Sequence, residues 1–262
     1  MIKAVILDWA STTVDFGSQA PVLVLKGLFS SNGVEITSAE ARRDMGLLKK
    51  DHIRAILAQP RVAEAWAGRH SVRPTEQDVE RLFEAFTPGQ IERLAGHSDV
   101  IPGILEVVAA LRERGLKIGS TTGYTRGMLN VVLEAAARQG YVPDVSITPD
   151  EASGGRPAPW MCLHNLIRLG VFPPAACVKI GDTPSDMQEG LNAGMWTIGV
   201  VDSGNEIGLS LAEWTELPTP FKERLRIEAR QKLRNASAQY VVDSLSQIGA
   251  VLDEIESCLR LA

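Results

Sequence analysis

The sequence predicts a doubly wound parallel α/β core interrupted by an α-helical insertion. Three observations carry that expectation. Short apolar runs alternate with helix-period stretches through most of the chain, glycines close those stretches, and residues 21–95 show helical periodicity with no convincing strand.

The first apolar run, Lys3-Ala-Val-Ile-Leu7, ends at Asp8 and reads as a buried central strand. Runs of the same kind follow at Leu116–Ser120, Val145–Thr148, Cys177–Ile180, Thr197–Val201 and Tyr240–Val242. Helical stretches lie between them at Ile104–Arg114, Thr125–Gln139, Pro159–Leu169 and Ser185–Ala193, with Gly115, Gly140, Gly170 and Gly194 as stops. After the first strand come helical segments at Pro21–Ser31, Ala39–Arg43, Leu48–Ala58, Arg61–Arg69 and Glu76–Leu94. Val100-Ile-Pro-Gly103 then returns the chain to the core. The expected division is a core of residues 1–18 and 98–262 and a cap of residues 19–97. Beyond Pro218 come a charged helix (Phe221–Arg234), a short strand and a closing amphipathic helix.

Composition narrows the class. The chain has 262 residues, 45% hydrophobic and 23% charged, with a net charge of −5 and a mean hydropathy of zero. These values describe an ordinary globular protein without a global basic field, so no nucleic-acid partner is expected. The three cysteines Cys162, Cys177 and Cys258 lack any metal-ligand spacing and read as reduced thiols. No apolar run reaches membrane-spanning length, and MIKAVILDWA turns acidic too soon for a signal peptide. A cytoplasmic location without membrane contact is expected.

In an open α/β sheet, ligands sit beyond the carboxyl ends of the strands. The first strand ends at Asp8, and the second at Ser120-Thr121-Thr122-Gly123. Arg156 lies in the loop Gly154-Gly155-Arg156-Pro157, and the strand at Cys177 runs into Gly181-Asp182-Thr183-Pro184-Ser185-Asp186. Any one of these could be a helix cap or a turn. Together on one edge they supply a carboxylate nucleophile, hydroxyl donors, a cation and paired carboxylates. Magnesium-assisted phosphoryl transfer needs that set.

These four motifs resemble those of the haloacid dehalogenase superfamily, whose core is a Rossmannoid sheet. Within it, DWASTTVDFG, MGLLKKDHIRAI, GLKIGSTTGYTR, GYVPDVSITPDE, GRPAPWMCL and KIGDTPSDMQEGLNAGMWTIGV resemble the phosphonatase family over nearly the whole chain. The resemblance implies that Asp8 attacks phosphorus and forms an aspartyl-phosphate. It implies Mg²⁺ held by Asp8, the backbone carbonyl of Ala10 and Asp182, with Asp186 in the outer shell. Thr122 and Arg156 would bind the phosphonyl oxygens.

Position 10 separates the rivals. Phosphatases of this superfamily usually carry a second Asp there to protonate a leaving alkoxide, and Ala10 has no proton to give. A carbon leaving group needs an electron sink instead. The resemblance points to Lys49 as the lysine that forms a Schiff base with the aldehyde. His52 falls three residues on, on the same helix face, as a possible proton shuttle, while Lys50 points about 100° away. Met45 and Tyr124 match positions lining the phosphonatase site, and ordinary packing accounts for them equally well. His70, His97 and His164 match nothing and read as structural.

The implied activity is hydrolysis of phosphonoacetaldehyde to acetaldehyde and orthophosphate, by a homodimer paired through the cap. A phosphomonoesterase or phosphomutase of the same fold is the nearest rival. A non-catalytic phosphonate-binding protein is the second. A dinucleotide-binding protein is third, because no GxGxxG follows the first strand. Two departures stand out: Ser11 where relatives have Gly, and Ser18 where some have Cys near the entrance.

Overall fold

The computed structural model describes residues 1–94 and 96–261. Residues 95 and 262, which the expected cap and core ranges include, lie outside the described residues. Six parallel strands form one sheet in the order β3-β2-β1-β4-β5-β6. They are β1 (Ala4–Asp8), β2 (Lys117–Thr121), β3 (Val145–Ile147), β4 (Cys177–Gly181), β5 (Trp196–Val200) and β6 (Tyr240–Val242). The chain winds outward from β1 to β3, then starts again at β4 on the other side of β1. The order therefore reverses between β1 and β4, and a crevice opens there beyond the strand ends.

The pleat sorts β1 between two cores. Val5 and Leu7 join the larger cluster with Ile104, Met128 and Ile248, whereas Ala4 and Ile6 join Cys162, Leu166 and Leu169 on the opposite face. The first face is covered by α6 (Ile104–Glu113), α7 (Arg126–Arg138) and α12 (Ile248–Leu261). The second carries α8 (Trp160–Leu169), which packs on β2 and β3, and α9 (Pro184–Asn192), which packs on β4 and β5.

Between β1 and β2 lie α1 (Gln19–Ser31), α2 (Ser38–Arg42), α3 (Lys49–Ala58), α4 (Pro60–His70) and α5 (Glu76–Leu94), with no strand among the described residues. Pro21 is accommodated in the first turn of α1, where its missing N–H has no intrahelical acceptor to lose. Asp15, not Ser18, caps that helix: its carboxylate accepts from Gln19 N at 3.0 Å and Ala20 N at 3.1 Å. α1 and α3 both pack on α5, and Trp66 of α4 meets Phe29 of α1 edge-on at 6.5 Å. The two crossings into this helical segment run side by side, because Asp15 N bonds Asp99 O at 3.1 Å and Ile101 N bonds Thr13 O at 2.9 Å.

Strand limits shift by one residue from the sequence expectation at β1, β2 and β5, and β3 and β4 differ by one residue at their carboxyl ends. Among the described residues, one α-helix is new. A short helix, α10 (Leu211–Glu216), opens on a capping box of Ser210 and Glu213. It buries Trp214 under Lys222 and Arg226 of α11 (Thr219–Asn235), whose cationic groups lie 5.4 and 5.5 Å from the ring centroid. No helix among the described residues is long and apolar enough to cross a membrane.

Ile198 on β5 is fully buried. Ile198→Ala should therefore lower unfolding free energy by about 2–5 kcal/mol, the usual range for truncating a core isoleucine. A urea melt that places the variant within about 0.5 kcal/mol of the parent, the usual spread of surface changes, would show that β5 is not part of the cooperative core.

Candidate active site

Parallel register brings the strand-end groups together. Leu7 of β1 pairs with Ile180 of β4, so Asp8 and the Gly181-Asp182 turn emerge side by side. Asp8, Asp182 and Asp186 are buried, and they place carboxylate oxygens within 4.8 Å of one another. Gly181 permits this closeness: a Cβ there would lie 2.3 Å from Asp186 Cγ.

Arg156 is the hub of the cluster. Its guanidinium reaches Asp8 Oδ1 at 2.5 Å, Asp186 Oδ1 at 3.1 Å and Glu189 Oε2 at 2.9 Å. A second buried cation, Lys179, contacts Asp186 Oδ1 at 2.8 Å and Thr121 Oγ1 at 2.9 Å. Thr121 donates to Glu189 Oε2 at 2.9 Å, completing the ring. Lys179 could have been suspected from sequence, since a charge in the middle of a buried strand calls for partners. Glu189, in helix α9, gave no such signal.

The charges do not balance. Four buried carboxylates, Asp8, Asp182, Asp186 and Glu189, face two fixed cations, Arg156 and Lys179. Burial pushes Asp8 up to about 6 against the pull of Arg156. Burial, then repulsion from Asp8 and Asp186, pushes Asp182 well above the carboxylate range. Asp186 goes the other way: burial raises it, but Arg156 and Lys179 outweigh that and hold it below its ordinary value. Two unmatched negative charges on hard oxygen donors fit a divalent cation of the magnesium type. Asp186 is largely engaged, since Oδ1 sits between its two cations and Oδ2 accepts from Thr183 Oγ1 at 2.6 Å. Asp182 is held by Thr12 Oγ1 at 3.2 Å and by the backbone N–H of Asn205 at 2.8 Å.

Facing this edge is a narrow cavity of about 20 Å³ whose walls include Asp8, Ala10, Met45, Lys49, Thr122, Tyr124 and Arg156. The structure thus brings all but one of the expected catalytic and binding side chains to one space, with Asp182 and Asp186 behind them. The exception is His52, which does not line the cavity. Its ring is fully buried, and Nε2–H donates to the Ala41 carbonyl at 2.8 Å, which leaves Nδ1 without a partner among the described residues. Burial and then the neighbouring Lys49 push His52 down to about 3, so the ring is neutral.

Lys49 is buried at 3% exposure and has no ion pair among the described residues. Its Nζ lies 3.5 Å from Met45 Sδ and 5.6 Å from the centroid of the Tyr124 ring. Burial lowers the amine to about 8, against the opposing attraction of Asp8. Its place as the first residue of α3 acts in the same direction, because the positive end of the helix dipole disfavours an ammonium. Lys50, by contrast, is surface-bound and pairs with Glu80. Gly46 seats the lysine segment on the core: at φ 91 it lies against Thr183 and Ser185, where a Cβ would fall 2.3 Å from Ser185 Oγ.

Ser11 adopts φ 71, the left-handed region that favours glycine. Its hydroxyl lies 2.6 Å from that of Ser18, and its carbonyl accepts from Ser203 Oγ at 2.6 Å. The loop keeps its turn with serine in place.

Cation binding should show in stability. Mg²⁺ should stabilise the folded state by mass action, by about 2.7 kcal/mol at a hundred times its dissociation constant, and so raise Tm, and EDTA should reverse the gain. Asp182→Asn should raise Tm in cation-free buffer, by removing a carboxyl whose ionisation burial, Asp8 and Asp186 oppose, and lose the cation response. A variant that still responds fully in a thermal melt would remove Asp182 from the cation site.

The comparisons agree with this geometry. A family profile described as haloacid dehalogenase-like hydrolase matches residues 2–194. Phosphonoacetaldehyde hydrolases of Bacillus cereus and Bacillus anthracis are each 46% identical over 256 residues, covering 97% of this chain and 97% of theirs. The crystal structure of a phosphonoacetaldehyde hydrolase-like protein from Oleispira antarctica superposes with a TM-score of 0.95 at 42% identity, covering 97% of this chain and 92% of that one. A β-phosphoglucomutase from Clostridium difficile shares the fold at a TM-score of 0.73 and 18% identity, covering 99% of each chain. The chain belongs to the haloacid dehalogenase-like hydrolases and, within them, to the phosphonoacetaldehyde hydrolase family.

Proposed function

We propose that the protein hydrolyses the phosphorus–carbon bond of phosphonoacetaldehyde, giving acetaldehyde and orthophosphate. One observation carries the reading: a buried lysine with no ion pair among the described residues shares a cavity with the strand-end carboxylate, and the residue two beyond that carboxylate is Ala10. The relatives' names supply the substrate. We read residues 19–97 as a cap over the core of 1–18 and 98–262.

Neutral Lys49 adds to the aldehyde carbon, and water leaves as an iminium forms. Asp8 Oδ then attacks phosphorus in line, with Arg156 and Thr122 holding phosphonyl oxygens. The electron pair of the breaking P–C bond moves into the iminium and yields an enamine on Lys49. Water cleaves the aspartyl-phosphate, releasing orthophosphate and restoring Asp8. The enamine takes a proton on carbon, and a second water frees acetaldehyde and the lysine. One water is lost and two are consumed, so the sum is a hydrolysis.

The carboxylates of Asp8 and Asp182 and the Ala10 carbonyl would hold Mg²⁺, with Asp186 behind, and bound there it would neutralise charge on the attacking carboxylate and the phosphonyl oxygens. His52 is neutral at neutral pH, with its one ring proton on Nε2 committed to the Ala41 carbonyl, so only its open Nδ1 could accept a proton.

Phosphate release from phosphonoacetaldehyde with Mg²⁺ tests the reading. Lys49→Arg keeps a charge but cannot form the imine, and should lose P–C cleavage. Borohydride with substrate should reduce the adduct onto Lys49 alone. Faster turnover of a phosphate monoester than of the aldehyde phosphonate would favour a phosphatase. Tight phosphonate binding without phosphate release would favour a binding protein.

The pH profile gives a separate check. Only the uncharged amine attacks, and the Lys49 amine is pushed down to about 8. Below that pH the reactive fraction falls about tenfold per unit, so kcat/KM should climb through pH 6–8 and level above. A rate that is flat or falling through that window would mean that Lys49 deprotonation does not govern the reaction.

A further inference from the structure

We propose that Arg42 is a positioning residue that latches the helical segment over the site and, through Asn205, holds Asp182 in place. The inference rests on the reading of residues 19–97 as a cap.

Arg42 is the last residue of α2. Its Nη1 donates to the Gly17 carbonyl at 2.6 Å and to Asn205 Oδ1 at 3.2 Å, and its Nη2 donates to the Gly208 carbonyl at 2.9 Å. Asn205 answers by donating Nδ2 to the Arg42 carbonyl at 3.1 Å. One side chain thus ties the helical segment to the loop after β1 and to the loop after β5. Both loops reach the chemistry. Gly17 adjoins Ser18, which lines the Lys49 cavity. The backbone N–H of Asn205 donates to Asp182 Oδ2 at 2.8 Å.

Two further observations support a latch. The first is that room is kept for the guanidinium. Gly208 sits at φ 69, and a Cβ there would lie 2.7 Å from Arg42 Nε and 2.9 Å from Cζ. The second is that the site is narrow. A cavity of about 20 Å³ holds about one water, so a two-carbon phosphonate enters only if the seam parts. A groove of about 850 Å³ runs along that seam with Arg42, Asn205 and Gly208 in its wall, so the latch faces solvent where opening would begin. Arg42 has no ion pair among the described residues, and two of its three acceptors are neutral backbone carbonyls. Such bonds hold a closed state yet release more easily than a buried salt bridge.

The test compares Arg42→Ala, Arg42→Lys and Gly208→Ala, with exposed Arg43→Ala as control. Three quantities are read well below the melting temperature: the acylation rate of Lys49 by a small amine-reactive anhydride in ligand-free protein, the Mg²⁺ dissociation constant by calorimetry, and kcat and KM. Arg42→Ala and Gly208→Ala should label Lys49 about tenfold faster, bind Mg²⁺ several-fold more weakly, and raise KM while lowering kcat. Arg42→Lys, which reaches fewer acceptors, should recover part of each, and Arg43→Ala should match the parent. Unchanged labelling and Mg²⁺ affinity in Arg42→Ala would overturn the proposal, whatever happens to Tm. If that variant does not fold, parent-like values in Gly208→Ala and Arg42→Lys overturn it equally. Labelling and Mg²⁺ affinity do not depend on the substrate. A parent protein inactive on phosphonoacetaldehyde would sink the proposed function, while these two shifts would still support the latch.

Discussion

Carboxylates crowd the carboxyl end of the two central strands beyond what the local cations neutralise, and much of the molecule can be read as a response to that. Asp8 closes β1, and Asp182 follows β4 immediately, so parallel pairing fixes them as neighbours. Arg156 and Lys179 are drawn into the cluster as its fixed counter-charges. Gly190 gives Lys179 its room in the sheet, since a Cβ at that helix position would fall 2.7 Å from Lys179 Cβ. A buried like-charge cluster opposes folding. The apolar clusters on both sheet faces supply the opposing stability, and the edge is left poised for a divalent cation.

The same interior treats two basic residues in opposite ways. Arg156 touches three carboxylates; burial opposes its charge, but Asp186, Asp8 and Glu189 together outweigh it. Lys49 faces Asp8 across the same cavity but touches sulfur and an aromatic ring instead. Desolvation therefore dominates, and its amine is pulled down to about 8. The site thus holds a permanent cation and a conditional one, separated only by their contacts.

The legibility of this arrangement in the sequence follows the same physics. Asp8, Thr122, Arg156, Asp182 and Asp186 could be grouped because each stands at or just after the end of an apolar run, and a doubly wound sheet sends those ends to one edge. The alternation of runs and helices likewise announced all six strands. Arg42 and Asn205 were invisible, because the arginine's main acceptors are backbone carbonyls 25 and 166 residues away, and no side-chain pattern encodes them. His52 was expected to share a pocket with Lys49, but spacing could not reveal that the Ala41 carbonyl claims its Nε2 and that the ring stays out of the cavity wall. Helix α10 carried a legible capping box at Ser210 and Glu213, in a stretch too short for periodicity to register.

The serine pair behind Asp8 has a consequence for how this loop can change over generations. Ser11 and Ser18 are both buried, both hold positive φ, and their hydroxyls lie 2.6 Å apart. Left-handed backbone at a residue with a Cβ costs about 1–2 kcal/mol, and the shared hydrogen bond offsets part of that. Replacing either residue alone leaves the other hydroxyl buried without its partner. The two positions are therefore epistatic. A descendant that acquires glycine at position 11 relaxes the backbone but inherits an unsatisfied Ser18, so the benefit of the first substitution is realised in full only after the second.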